Sequence, residues 1–233
     1  MIRFRPYPGL SFATLAGFAL LIYLGVWQLE RLKWKESLIA EANAHAHAAP
    51  IAIESVLGAP PAQNEYRHVS AMGHFLPGEA FLFTTLDGGD TGYEIIAAYA
   101  LRSGAVLLVD RGFVPAVDGK IQAYGPPPQG DGEILGLVRA SQNPAYFTPK
   151  PDISRKVWYA RDVPAIAAAI GVSGALPLMI AQDRAGTVAP EGGHTHLEFR
   201  NQHLQYALTW FALAATLIAI YLAYHRSKGR LGI

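Results

Sequence analysis

Two uncharged apolar runs limit what this chain can fold into. The first extends over 24 residues from Pro6 to Leu29 and the second over 21 from Leu204 to Tyr224. An α-helix rises about 1.5 Å per residue, so about 20 residues cross a hydrocarbon core about 30 Å thick. Both runs are long enough, whereas a buried helix of a soluble protein is usually shorter and broken by charge. The first run follows Arg3 and Arg5, as in a signal peptide. It leads, however, into Trp27-Gln28-Leu29-Glu30-Arg31 without a small-x-small cleavage site, so it reads as an uncleaved anchor. The few residues ahead of it leave no room for a mitochondrial transit peptide, which makes a bacterial inner membrane the expected location.

Charge sets the expected orientation. Lys and Arg accumulate on the cytoplasmic side of short flanks. Arg226, Lys228 and Arg230 follow the second run closely, against Arg200 before it, so its C-terminal end is expected in the cytoplasm. Arg31, Lys33 and Lys35 beside the first run compete with Arg3 and Arg5, and two spans put both termini on one side. The organisation expected is a cytoplasmic tip (1–8), a first span (9–29), a periplasmic domain (30–200), a second span (201–224) and a cytoplasmic tail (225–233). Between Glu30 and His203 lie all 18 acidic residues and 14 of the 19 Lys and Arg. That balance argues against a nucleic-acid partner, which requires a basic face. The second span also carries Ala212, Ala215, Ala219 and Ala223 at helical spacing. This stripe either receives Ala13, Gly17 and Gly25 of the first span or is neutral membrane alanine.

The central domain reads as a helical stalk over 30–48, stopped by Pro50, and a β-rich core over 66–199. Candidate strands are Tyr66–Phe75, Ala80–Leu86, Tyr93–Leu101, Ala105–Asp110, Glu133–Arg139, Val157–Ala160, Leu176–Ala181 and Thr195–Phe199. One helix is expected over Val163–Ile170, with Asp162 as its N-cap. The fold class is therefore α+β, with two transmembrane helices flanking a mainly antiparallel sheet or partial barrel.

Catalytic motifs are scarce. With no cysteine, thiolate zinc sites, iron–sulfur clusters and cysteine nucleophiles are excluded. GxSxG, GxGxxG after a strand, P-loop and HExxH patterns are absent, and no enzyme activity is expected. Asp110-Arg111 ends an apolar strand, either as a presented acid–base pair or as an ion pair fastening the strand end. His45 and His47 diverge on a helix, His68 and His74 carry no assigned role, and His194 and His196 lie in a polar loop or could chelate a metal.

His203 stands apart, because it opens the second span in Asn201-Gln202-His203-Leu204-Gln205-Tyr206-Ala207-Leu208-Thr209-Trp210. On a helix it shares a face with Tyr206 and Trp210, and at the same depth the first span offers Trp27, Gln28 and Arg31, with Lys35 one turn further. An imidazole, aromatic walls and a guanidinium at the water–lipid boundary could hold an amphipathic ligand such as haem, with His203 on the iron and Arg31 or Lys35 at the propionates. The alternative is a hydrogen-bonded interfacial histidine.

Four segments carry a family resemblance. Leu24-Gly25-Val26-Trp27-Gln28 through Arg31, Trp34 and Lys35 resembles the LGxWQxxRxxWK signature of the surfeit-locus (Surf/Shy) family of cytochrome c oxidase assembly proteins. Arg111-Gly112-Phe113-Val114-Pro115 is similar to its central RG-[WF]-VP motif. The segment from Asn201 through His203, Leu204, Tyr206, Thr209 and Trp210 resembles its NxHLxYAxTWF motif, and Tyr66-Arg67-His68-Val69 its YRxV strand. The resemblance implies a two-pass membrane protein that acts in aa3-type oxidase maturation, binding haem a through His203 and aiding its insertion into the catalytic subunit. Haem a synthase is a second candidate partner. A non-haem-binding scaffold that stabilises an oxidase subunit is the alternative. A farnesyl tail of about 15 carbons, at about 0.8 kcal/mol per buried CH₂, keeps such a haem in the bilayer.

Overall fold

The computed structural model describes residues 3–86, 89–183, 189–193 and 201–232. Its α-helices are α1 (Pro8–His47), α2 (Val163–Ala169) and α3 (His203–Ser227). The chain divides into two compact units, one made of residues 1–41 and 198–233, the other of residues 42–197.

The first unit is a helix pair. Both α1 and α3 are long and apolar enough to cross a membrane. They run antiparallel, and their shielded positions repeat at alternating steps of four and three. On α1 these include Ser11, Thr14, Phe18, Leu21, Gly25 and Gln28; on α3 they include His203, Ala207, Trp210, Ala214, Leu217 and Tyr221. That period keeps a seam facing its partner along both helices. Gly25 is required there, since a Cβ would lie 2.4 Å from the Phe211 ring. Gly17 meets Leu217, but Ala13 is exposed. Ala212, Ala215, Ala219 and Ala223 are exposed as well, so the expected stripe is not the contact face. Ala207 and Ala214 are the small residues at the seam, because the bulky knobs Phe211 and Leu217 project on that side and fit against Gly25 and Gly17.

At the far end of the pair His225, placed in the expected cytoplasmic tail, is 0% exposed. Helix α3 continues to Ser227, which brings His225 onto the Tyr221 face four residues on. Its Nδ1 donates to the Tyr221 carbonyl at 2.9 Å, and its Nε2 accepts the Tyr7 N–H at 3.3 Å. The rings of Phe4, Tyr7, Tyr221 and Tyr224 pack around it. Beside them Arg3–Phe4 pairs antiparallel with Leu231–Gly232.

The second unit is a barrel of five strands, β1 (His68–Thr85), β2 (Thr91–Leu101), β3 (Val106–Val117), β4 (Gly132–Ala140) and β5 (Leu178–Gln182). They close in the order β1-β2-β3-β5-β4-β1. Strictly alternating strands cannot close an odd ring, and the β3–β5 pairing is accordingly parallel while the other four are antiparallel. The two strands expected at 66–75 and 80–86 are one strand. β1 bulges between Phe75 and Glu79, where Pro77, which has no N–H to donate, interrupts the ladder. β1 pairs with β4 over His68–Gly73, and with β2 over Gly73–Phe75 before the bulge and Glu79–Thr85 after it. This shared long strand closes the barrel.

One buried core draws on all five strands, with Val69, Tyr99, Val109, Val138 and Ile180 among its members. Tyr99 crosses it, its hydroxyl donating at 2.6 Å to the Gly132 carbonyl on β4, which does not neighbour β2. A second core joins Ala80, Leu82, Ile96, Leu108 and Met179 to Val163 and Ile166 of α2. Strands buried on both faces read as unbroken apolar runs, as Ile95–Leu101 does. Helix α2 starts as expected, Asp162 Oδ1 accepting the Ala165 N–H at 3.2 Å. The strand expected at 157–160 is Val157–Trp158, parallel to β1. The strand expected at 195–199, with His194 and His196, lies outside the described residues.

Candidate functional site

The helix pair brings His203 to Gln28. Asn201 Oδ1 accepts the backbone N–H of His203 at 3.4 Å, so a side chain just ahead of α3 holds its first turn. The half-buried imidazole then reaches across the seam, its Nδ1 donating to Gln28 Oε1 at 2.7 Å. In the neutral ring the proton then sits on Nδ1 and the lone pair on Nε2. Metal-binding histidines are oriented in this way, the remote N–H tied to a carbonyl and the other nitrogen turned to the metal. The donor set therefore fits a haem iron.

The other expected site residues are less gathered. Trp210 is partly shielded on the His203 face, while Leu204 and Tyr206 are exposed. Trp27 and Trp34 are exposed on α1, and the Arg31 guanidinium lies 4.1 Å over the Trp34 ring. Arg31 is thus stacked one turn beyond Gln28. Lys35, one turn further, is partly shielded. Thr209 Oγ1 donates within its own helix to the Gln205 carbonyl at 2.9 Å, which satisfies a hydroxyl in an apolar span.

The central motif has a structural task. Asp110 and Arg111 do not pair with each other, because successive strand residues face opposite sides. Between Glu94 and Ile96 of β2 the register slips against Asp110 and Phe113 of β3, so Arg111 and Gly112 form a bulge. Gly112 has φ +124°, and a Cβ there would lie 2.2 Å from the Glu191 carbonyl oxygen. Asp110 Oδ1 accepts the Gly112 N–H at 2.9 Å. The buried Arg111 donates to Glu79 at 2.7 Å and to the Gly125 carbonyl at 2.9 Å. Tyr124 donates to the other Glu79 oxygen at 3.0 Å. Burial, reinforced by the Glu79 charge, pushes its phenol up to about 12. Pro115 lies further along β3, opposite Gly92.

On the opposite side Asp110 and Glu94 line a cavity of about 280 Å³ with Arg139, Arg161, Gln142 and Tyr159. Burial, then the Asp110 charge, raises the Glu94 carboxyl to about 8; burial raises Asp110 to about 6. Glu65 bonds Arg139 at 3.0 Å and lies 3.6 Å from Arg161, whose guanidinium burial holds below its ordinary range. At neutral pH the five groups balance if Glu94 alone keeps its proton. No sequence motif marks this cluster, although Glu94, a lone acid in the apolar run of β2, signals it.

The remaining histidines lie apart. His45 meets Arg67, His47 its own helix at Asn43, His68 Asp183 at 2.8 Å, and His74 Asp131 at 3.3 Å. Among the described residues no three His, Asp or Glu side chains form a metal cluster.

Comparisons with known proteins match most of the chain. The model of the SURF1 family matches residues 15–215. Surfeit locus protein 1 of Mus musculus is 34% identical over 215 residues, covering 82% of this chain and 68% of its own length. The Homo sapiens protein of the same name is 32% identical, with coverage of 82% and 69%. A SURF1-like protein of Monosiga brevicollis is 30% identical over 95% of this chain and 89% of its own.

Proposed function

The chain belongs to the SURF1 family, and from that premise we propose that this membrane protein serves the assembly of an aa3-type cytochrome c oxidase by holding haem a and aiding its insertion into the catalytic subunit. Its work is binding and hand-over, not catalysis. The observation that supports the carrier reading is the His203–Gln28 hydrogen bond, which leaves Nε2 as a donor atom at the mouth of a membrane helix. Haem a is the cargo. His203 would take its iron, Arg31 and Lys35 its propionates, and Trp27, Tyr206 and Trp210 its ring, while the farnesyl tail stays in lipid. We place the chain in a bacterial inner membrane, and the charge of its flanks supports both termini on the cytoplasmic side with the barrel in the periplasm. The oxidase catalytic subunit is the receiving partner and haem a synthase the supplying one.

A second reading rests on the ridge Trp27, Arg31 and Trp34, exposed on α1. Such a ridge suits contact with an oxidase subunit, and in that reading the chain is a scaffold without haem. Purification from cells that make haem a separates the two. The carrier shows haem a bands in visible light that are lost or shifted in His203→Ala. The scaffold is colourless and copurifies with the subunit.

A further inference from the structure

Tyr146 and Phe147 are 93% and 91% exposed, adjacent in sequence, and far from the helix-boundary site along the chain. They are not on a loose strand of chain. Thr148 N–H donates to the Ala145 carbonyl at 2.9 Å, and Ala145 N–H donates back to Thr148 Oγ1 at 3.0 Å, closing a tight turn with both rings at its tip. Pro144, Pro149 and Pro151 stiffen its flanks. The rings meet edge to face, centroids 4.9 Å apart at 88°. Holding two large apolar rings in water is costly, and burial elsewhere in the module does not account for them.

The surroundings indicate what covers them. The stretch Ser141–Lys156 contains Lys150, Arg155 and Lys156 against a single acid, Asp152. That acid is engaged locally, accepting from Ser154 Oγ and the Arg155 N–H. Lys150 and Arg155 are exposed, as is Ile153. Aromatic rings flanked by Lys and Arg are the composition that settles at the headgroup level of a bilayer, rings among the upper acyl chains and cations at the phosphates. The chain carries two helices able to span a membrane, so a lipid surface is present at high effective concentration.

We infer that the Tyr146–Phe147 tip is a membrane-interface anchor, in which the two rings enter the headgroup layer of an anionic bilayer and Lys150 and Arg155 pair with lipid phosphates. The inference is independent of haem binding and uses none of its residues.

The absence of cysteine makes the test direct. Ala145→Cys places a single thiol beside the tip while keeping both rings, and Lys120→Cys places one at an exposed position of the short strand Lys120–Ile121 as the reference. Each full-length variant is spin-labelled and reconstituted into nanodiscs of mixed phosphatidylglycerol and phosphatidylethanolamine. Relaxation by oxygen, which concentrates in lipid, is compared with relaxation by a water-soluble nickel chelate. The expected oxygen-to-nickel ratio at Ala145→Cys is several-fold above that at Lys120→Cys. It falls to the reference when Tyr146→Ser and Phe147→Ser are added, with the melting temperature unchanged. Equal ratios at the two sites would overturn the inference and leave the tip to a protein partner.

Discussion

Nδ1 of His203 lies 2.7 Å from Oε1 of Gln28, and this single hydrogen bond fixes which nitrogen of the imidazole is free to bind a metal. Both residues lie on the seam of the helix pair, the glutamine on α1 and the histidine at the first position of α3. One turn along the seam Gly25 packs closely against the Phe211 ring.

Gln28→Leu removes the acceptor and keeps the bulk. Outer-shell partners of this kind are worth about 10–100-fold in metal affinity. The variant is expected to lose haem a by roughly that factor in titrations of the purified protein, with little change in melting temperature. Arg31→Ala is expected to weaken retention while leaving band positions unchanged, since Arg31 would touch propionates and not iron.

Arg111 and Glu79 form a largely buried pair, and removing one partner strands the other charge. Arg111→Ala is expected to destabilise the barrel by about 3 kcal/mol or more. The double change Arg111→Met with Glu79→Gln is expected to cost less than the sum of its singles. Denaturant unfolding of the four proteins gives the coupling, and additive losses would show that the pair is not an energetic unit.

Glu94 makes stability pH-dependent. Its carboxyl is raised from 4.5 to about 8 in the fold, so as pH rises between these values the unfolded chain releases a proton that the folded chain retains. Stability therefore falls with rising pH in that window, by at most about 1.4 kcal/mol per pH unit. Asp110, raised from 3.8 to about 6, adds a fall of the same sign between those values. Glu94→Gln mimics the protonated form. It is expected to flatten the dependence and to melt at higher temperature than the parent at pH 8.5, with little difference at pH 5. Parallel melting curves across pH would show that the carboxyl is not held neutral.

Gly112→Ala is expected to unfold more readily than any exposed glycine substitution in the module, because a Cβ at φ +124° runs into the Glu191 carbonyl. Gly119→Ala, where a Cβ meets open space but φ is +71°, serves as the backbone-only comparison in thermal melts.

Much of this was legible in the sequence, and the reasons differ by element. The two spans follow from apolar length, and α2 from Asp162 and Pro164 at its start. The barrel strands were visible as apolar runs, but their closure was not. β1 looked like two strands because Leu76-Pro77-Gly78 has the composition of a turn, while in the fold it is a bulge inside one continuous ladder. The alanine stripe of α3 left contact face and neutral membrane alanine both open, because small residues occur on more than one face, and the knobs Phe211 and Leu217 select the seam elsewhere. Asp110 and Arg111 looked like a pair because they are adjacent, although adjacency in a strand sends side chains apart. The partners that matter, Glu79 and Tyr124 for Arg111 and Glu94 for Asp110, are long-range and leave only weak local traces. His203 and Gln28 were each singled out, yet that they touch is set by the helix register alone.

The visible spectrum of haem a-loaded His203→Gly, with and without added imidazole, tests ligation by His203 most directly. The bands lost or shifted in the variant are expected to return when free imidazole occupies the vacated position beside Gln28. Wild-type bands in His203→Gly without imidazole would contradict it, because the iron would then be held by another residue.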